Sequence, residues 1–360
     1  MTENPTRALL RYIGSPLLPG RNADEPIEDE ALFNVAFRNN IEMLYFEALE
    51  RAGKLDKLRA KRDEIKARQL ETLVTIVRLS TVLTQGGIAH AVTKTLRPYR
   101  GTPNDIDCLY LGDLNDYKAA GDYLQTQHYR LTGPKDMQYE FFDELQGGEF
   151  YKDKMGGRFY IDFYRELAAD HMPYMDSALL REYVTDTRVE GHEAPVKVLR
   201  PEAEMVVLAL HSVLMHRIVP LEVFYTYAYL MQAMDEAALD RVVAVSKASH
   251  AGPGMRTILS LMEALHQDCF GEVPAKLRYL LERIGRRDSE AAVFRATSLK
   301  APHVVNLSTF VVTVFGKIRG KRARRGFFKE LAHMLNPVFA AEVLYHMLSK
   351  KYIDKHSDHV

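Results

Sequence analysis

The chain has 360 residues, 47% of them hydrophobic and 27% charged, and its 48 Lys and Arg are balanced by 48 Asp and Glu. That length and apolar content suffice for a large buried core and two or three subdomains, and they exclude an intrinsically disordered chain. A formal charge of zero excludes a global basic field, so any nucleic-acid surface must be local.

Cys108 and Cys269 lie far apart in apolar contexts, so a disulfide framework and cysteine metal ligation are not expected, and a cytoplasmic location is. The opening Met1-Thr-Glu-Asn-Pro lacks a basic region followed by an apolar core. No apolar run approaches about 20 residues, so neither a secretory signal nor a membrane partner is expected.

In chain order, residues 1–27 contain Pro and Gly and read as a partly ordered arm. Residues 28–85 read as helical, with Leu32, Val35, Ala36, Ile41, Leu44 and Leu49 in one periodic stretch and Leu58, Ile65, Leu70, Leu73, Ile76 and Leu83 in another. Gly53 is the expected break between them. Gly86-Gly87 opens a compact domain over 86–170. Its elements are a strand at 90–95, an aspartate-bearing strand at 105–110, a helix at 113–127, and strand-like runs at 128–131, 137–142 and 158–164. Gly147-Gly148 and the loop 152–157 separate the last two. This order predicts a small mixed sheet of four or five strands carrying one or two helices. Residues 171–360 read as a helical domain, with Pro201 opening one helix and a tyrosine-rich helix at 221–234. The fold class is α+β: a small mixed-sheet domain flanked by N-terminal helices and a large C-terminal helical region.

The chemistry sits in the aspartate strand. Side chains alternate along a strand, so Asp105, Asp107 and Leu109 point one way and Ile106, Cys108 and Tyr110 the other, with the two carboxylates about 7 Å apart along the backbone. Mg²⁺ favours one or two carboxylates plus water and substrate phosphates, so this pair reads as half of a nucleotide-phosphate site. The run 157–166 alternates too. It puts Phe159, Ile161 and Phe163 on one face and Arg158, Tyr160, Asp162 and Tyr164 on the other, which makes Asp162 the candidate third ligand.

The succession of strand, short loop, Asp105-Ile-Asp107 strand, helix and a later strand aspartate resembles the nucleotidyltransferase superfamily with a DNA polymerase β-like palm. Within it, the sequence is similar to the small bacterial and archaeal nucleotidyltransferases that include AbiEii-like toxin relatives. The resemblance covers about residues 85–170. It implies that Asp105, Asp107 and Asp162 hold Mg²⁺ or Mn²⁺ and carry the catalysis, with an NTP as substrate. In the family, a Gly-Ser pair opens a helix whose backbone amides hold the triphosphate; here those positions are Lys94 and Thr95. Lys94, Thr95, Arg97 and Arg100 are the candidate nucleotide-binding residues, with Arg97 and Arg100 able to clamp phosphate bidentately.

Two other features need weighing. His211 and His216 are five residues apart, about 140° around a regular helix, so they would not share one ion and read as a core pair. The segment 317–329 holds the one dense basic cluster, Lys317, Arg319, Lys321, Arg322, Arg324, Arg325 and Lys329, beside Phe327 and Phe328. It reads either as a loop between helices or as a grip for a single nucleic-acid strand.

The expected activity is metal-dependent transfer of a nucleoside monophosphate from an NTP to a hydroxyl acceptor, an RNA end, a protein or a small molecule, with release of pyrophosphate. Two alternatives stand beside it. One is an inactive palm serving as a nucleotide sensor or interaction module; the other is a nucleic-acid-binding protein that uses the basic cluster.

Overall fold

The computed structural model describes residues 4–20, 24–103, 105–135, 137–145, 160–169, 171–286 and 300–333. The expected turn at Gly147-Gly148, the loop 152–157 and the first residues of the 158–164 strand lie outside them. The chain divides into two compact units. The first comprises Met1–Val74, Leu96–Pro103 and Arg200–Thr313, and the second Thr75–Thr95, Asn104–Leu199 and Val314–Val360.

The first unit is helical. Within the stretch 1–27 it has α1 (Pro5–Ile13), with Pro at its first turn and Asn4 capping the Thr6 amide. Leu9 and Leu10 of α1 are fully buried. The expected helical stretch that follows is three helices, α2 (Glu30–Arg38), α3 (Glu42–Arg51) and α4 (Arg59–Gln85), the last of which belongs to the second unit from Thr75 onward. Gly53, at φ 66°, makes the expected break before α4, and Asn40, at φ 56°, makes an additional one before α3.

The unit's later helices are α7 (Pro201–His211), α8 (Leu221–Ala233), α9 (Glu236–Ala248), α10 (Gly252–Phe270) and α11 (Ala275–Ile284). α12 (Leu307–Lys317) starts here and ends in the second unit. Tyr225 and Tyr227 of α8 are fully buried, and the Tyr227 hydroxyl donates to the Met205 carbonyl, so both are core. A two-stranded ribbon pairs β10 (Ile218–Val219) with β11 (His303–Val304).

The second unit is built on a seven-stranded mixed sheet in the order β3-β4-β5-β2-β1-β9-β8. Its strands are β1 (His90–Thr93), β2 (Ile106–Tyr110), β3 (Tyr129–Lys135), β4 (Gln138–Asp143), β5 (Ile161–Tyr164), β8 (Val184–Arg188) and β9 (Pro195–Leu199). The sheet is thus larger than the four or five strands expected. The surplus pair, β9 and β8, comes from beyond residue 170, where helix was expected, and β9 joins β1 in parallel.

One face of the sheet is covered by α5 (Tyr117–Thr126), and a short helix α6 (Ser177–Arg181) precedes β8. Tyr117 lies against Tyr110, Phe163 and Tyr139, and its hydroxyl donates to the Phe163 carbonyl. The C-terminal half of α4 reaches the same layer: Ser80 hydrogen-bonds His90, and Tyr123 of α5 donates to the Val82 carbonyl. Asp105, Asp107 and Asp162 belong to the opposite face.

The basic segment is helical as well. α13 (Lys321–His333) packs on the hairpin formed by β6 (Ala168–Ala169) and β7 (Met172–Pro173). A Cβ at Gly326 would overlap the His171 carbonyl oxygen, so glycine is what lets the helix approach the hairpin backbone.

Candidate metal centre

Strand pairing assembles the site. β1 runs antiparallel to β2 with Thr93 opposite Asp107, and β2 runs parallel to β5 with Asp107 opposite Asp162. Residues laterally paired across a sheet share a face, so Asp162 stands beside Asp107 with Asp105 two residues earlier in the chain. One oxygen of each carboxylate lies within 4.8 Å of the others. The ligands of one divalent ion, or of a bridged pair, span such a distance. The donor set is all carboxylate oxygen, which suits a hard divalent cation, so the cluster can hold a metal ion.

Lys94 enters this cluster from the end of β1. Its side chain is 6% exposed, its ammonium lies 2.9 Å from Asp107 Oδ1, and it stands 4.8 Å over the Tyr164 ring. Burial by itself lowers the pKa of Lys94, but Asp107, Tyr174 and Asp105 outweigh it, and the ammonium is held protonated above the ordinary lysine range. Lys94 also has a φ of 59°, left-handed backbone that glycine adopts at least cost.

Thr95 is buried, and its hydroxyl accepts the Asp107 amide at 2.8 Å, so it fixes the backbone of a metal-ligand candidate. Tyr164 donates to Asp162 Oδ2 at 3.2 Å. Burial, together with Asp107, Asp162 and Asp105, pushes the Tyr164 phenol well above its usual range, so it remains a donor at neutral pH. The alternation of the 157–166 run places Tyr164 on the face of Asp162 without giving it a role. Tyr174, whose phenol bears on the titration of both Lys94 and Tyr164, has no local signal in the sequence, because only the β6–β7 hairpin brings it there.

The second unit therefore gathers Asp105, Asp107, Asp162, Lys94 and Thr95. Arg97 and Arg100 belong to the first unit. Arg97 forms a buried ion pair there with Glu222 at 2.6 Å, and Arg100 is exposed and acts electrostatically on Glu47.

The basic cluster divides too. Arg319, Lys321, Arg322, Arg324, Arg325 and Lys329 are exposed, and Arg322 pairs with Glu166 at 2.7 Å. Lys317 is instead buried and donates to the Tyr174 carbonyl at 2.7 Å, so it is withdrawn from that surface.

No family model matches this sequence, and no curated protein is significantly similar to it. Among the described residues, no helix is long and apolar enough to cross a membrane.

Proposed function

We propose that the second unit is a nucleotidyltransferase palm that moves a nucleoside monophosphate from an NTP to a hydroxyl acceptor. The observation that carries this reading is the register of Asp107 with Asp162 on adjacent parallel strands, which closes a three-carboxylate cluster on one face of a mixed sheet. The left-handed backbone of Lys94 supports it as well, since it keeps the chain path of a glycine at the position where the resembling family carries one.

In this reading, Asp105 and Asp107 hold the divalent ions, Mg²⁺ or Mn²⁺, and Asp162 completes the set. A bound ion supplies neutralisation of the phosphate oxygens and lowers the pKa of the attacking hydroxyl. The acceptor oxygen forms a bond to the α-phosphorus, the bond from that phosphorus to the bridging oxygen of the β-phosphate breaks, and pyrophosphate leaves. Asp162 takes the hydroxyl proton, and Tyr164 orients its carboxylate through the hydrogen bond to Oδ2. Thr95 holds the Asp107 backbone, and Lys94 offsets one of the three carboxylate charges.

The exposed basic face of α13 belongs to the same unit and carries Phe328, which is 60% exposed, beside its cations. That combination favours a single-stranded RNA end as the acceptor, gripped through phosphate contacts and stacking.

The test is incubation with each α-³²P-labelled NTP, Mg²⁺ or Mn²⁺, and total RNA, beside the Asp105→Ala/Asp107→Ala variant. Label on RNA, or on the protein itself, that needs the intact aspartates is the expected result. NTP binding without turnover would favour a nucleotide sensor. Salt-sensitive RNA binding that survives loss of both aspartates, with no nucleotide binding, would replace the transferase by a nucleic-acid-binding protein.

A further inference from the structure

Arg322 stands where the docked and the exposed faces of α13 meet. It is one turn from Gly326, at which the helix rests on the β6–β7 hairpin, and it shares a row with Arg325 and Lys329 at i+3 and i+7. Its guanidinium already faces an anion, since Nη2 lies 2.7 Å from Glu166 Oε1.

The two partners of this pair are unequally placed. The Glu166 side chain, between β5 and β6, is 9% exposed, and that of Arg322 is 53% exposed. Glu166 Oε1 is shut off from solvent and, among the described residues, takes no aligned hydrogen bond, so the guanidinium holds it by charge. Burial raises the Glu166 carboxyl above its ordinary range, and Arg322 is the foremost charge opposing that rise. The carboxylate is thus fixed under the helix, whereas the arginine is open to an anion arriving from solvent. A phosphate offers a guanidinium two parallel hydrogen bonds, which the unaligned contact with Glu166 does not.

We propose that Glu166 is an internal stand-in for phosphate: it occupies Arg322 in the nucleic-acid-free protein, and an RNA strand binding the basic face of α13 must displace it. The contact is autoinhibitory. A strand gains a phosphate contact at Arg322 only by leaving Glu166 buried without that counter-ion, so the gain is largely offset. Removing the charge of Glu166 returns Arg322 to the row it shares with Arg325. The inference rests on the reading of α13 as a grip for single-stranded RNA and not on nucleotidyl transfer.

The experiment is fluorescence anisotropy of a labelled oligouridine with full-length protein over a series of salt concentrations, without NTP or divalent ion. The proteins are wild type, Glu166→Gln, Arg322→Gln, the double variant and Arg325→Gln. Glu166→Gln should bind roughly 3- to 10-fold more tightly, and its slope of log affinity against log salt should steepen by about 0.7, the signature of one more phosphate contact on a single strand. Arg322→Gln should leave wild-type binding nearly unchanged and abolish the gain from Glu166→Gln, whereas Arg325→Gln should weaken binding and flatten the slope. An equal gain from Glu166→Gln with and without Arg322 would mean a mere change in net charge and would overturn the proposal. If hydrogen exchange in 321–333 shows that Glu166→Gln releases the helix, Arg322→Gln and Arg325→Gln decide alone, and equal effects of the two would overturn it. No binding by any variant would remove both this contact's role and the RNA acceptor, while RNA labelled in the transfer assay beside an additive cycle would overturn this inference only.

Discussion

Asp107 and Asp162 are register partners on two parallel strands, and the buried ammonium of Lys94 lies 2.9 Å from Asp107 Oδ1. That ion pair gives Asp107 a part in stability besides its place in the carboxylate cluster. Asp162→Asn should lower nucleotidyl transfer by at least ~100-fold, as expected for loss of a proton acceptor, with little change in stability. Asp107→Asn should abolish transfer and also destabilise the fold by ~3–5 kcal/mol, because it leaves the Lys94 charge buried without its counter-ion. Urea denaturation beside the labelling assay separates the two; equal stability losses would contradict the assignment of the ion pair.

Removing the other partner has a different signature. Lys94→Met leaves three carboxylates crowded together without the ammonium, and the variant should lose ~3–5 kcal/mol when no divalent ion is present. Mg²⁺ should recover more stability in this variant than in wild type, because the ammonium no longer competes for Asp107. Thermal melts with and without Mg²⁺ check it, and an equal Mg²⁺ increment in both proteins would count against metal binding at the cluster.

Lys317 is pulled down to about 7 by burial at the Tyr174 carbonyl. Its folded pKa lies below the unfolded value, so between about pH 7 and 10.4 the unfolded chain binds more protons at this site, and its contribution to stability rises with pH across that window. Below the window the folded protein carries the cost of a buried charge. Lys317→Met should therefore raise stability at pH 7 by ~1–4 kcal/mol and flatten the increase toward alkaline pH. Urea midpoints at pH 7 and 9.5 measure both effects.

At Gly326, local preference and packing oppose each other. Alanine is favoured over glycine inside a helix by ~1 kcal/mol, yet a Cβ there meets the His171 backbone. Gly326→Ala should destabilise the contact between α13 and the β6–β7 hairpin, seen as faster hydrogen exchange in 321–333 and 168–173. A stabilised helix with unchanged exchange in the hairpin would show that the helix does not rest there.

Much of this was written locally. The periodic leucines of 28–85 determine helices, Gly53 determines one break, and alternation at Asp105, Asp107 and Asp162 determines which side chains share a strand face. Val196 and Val198 alternating around Lys197 also carry a strand signal, although it lies in a stretch that reads as helical overall. Tertiary structure decided what local patterns do not encode. The pairing of Asp107 with Asp162 depends on hydrogen bonds between strands more than fifty residues apart, and a one-residue slip would have turned Asp162 to the opposite face. His211 and His216 hydrogen-bond to each other across a π-helical turn, Ser212–His216, a change in helical hydrogen-bond register that any helix-forming sequence can adopt. Arg97 is a candidate phosphate ligand by its place in the sequence, and only the fold pairs it with Glu222, more than a hundred residues away in the chain. Side-chain chemistry and periodicity are properties of neighbouring residues, and the sequence alone determined them. Strand register, ion-pair partners and burial arise only when distant segments pack, and those decided where the site is and what holds it.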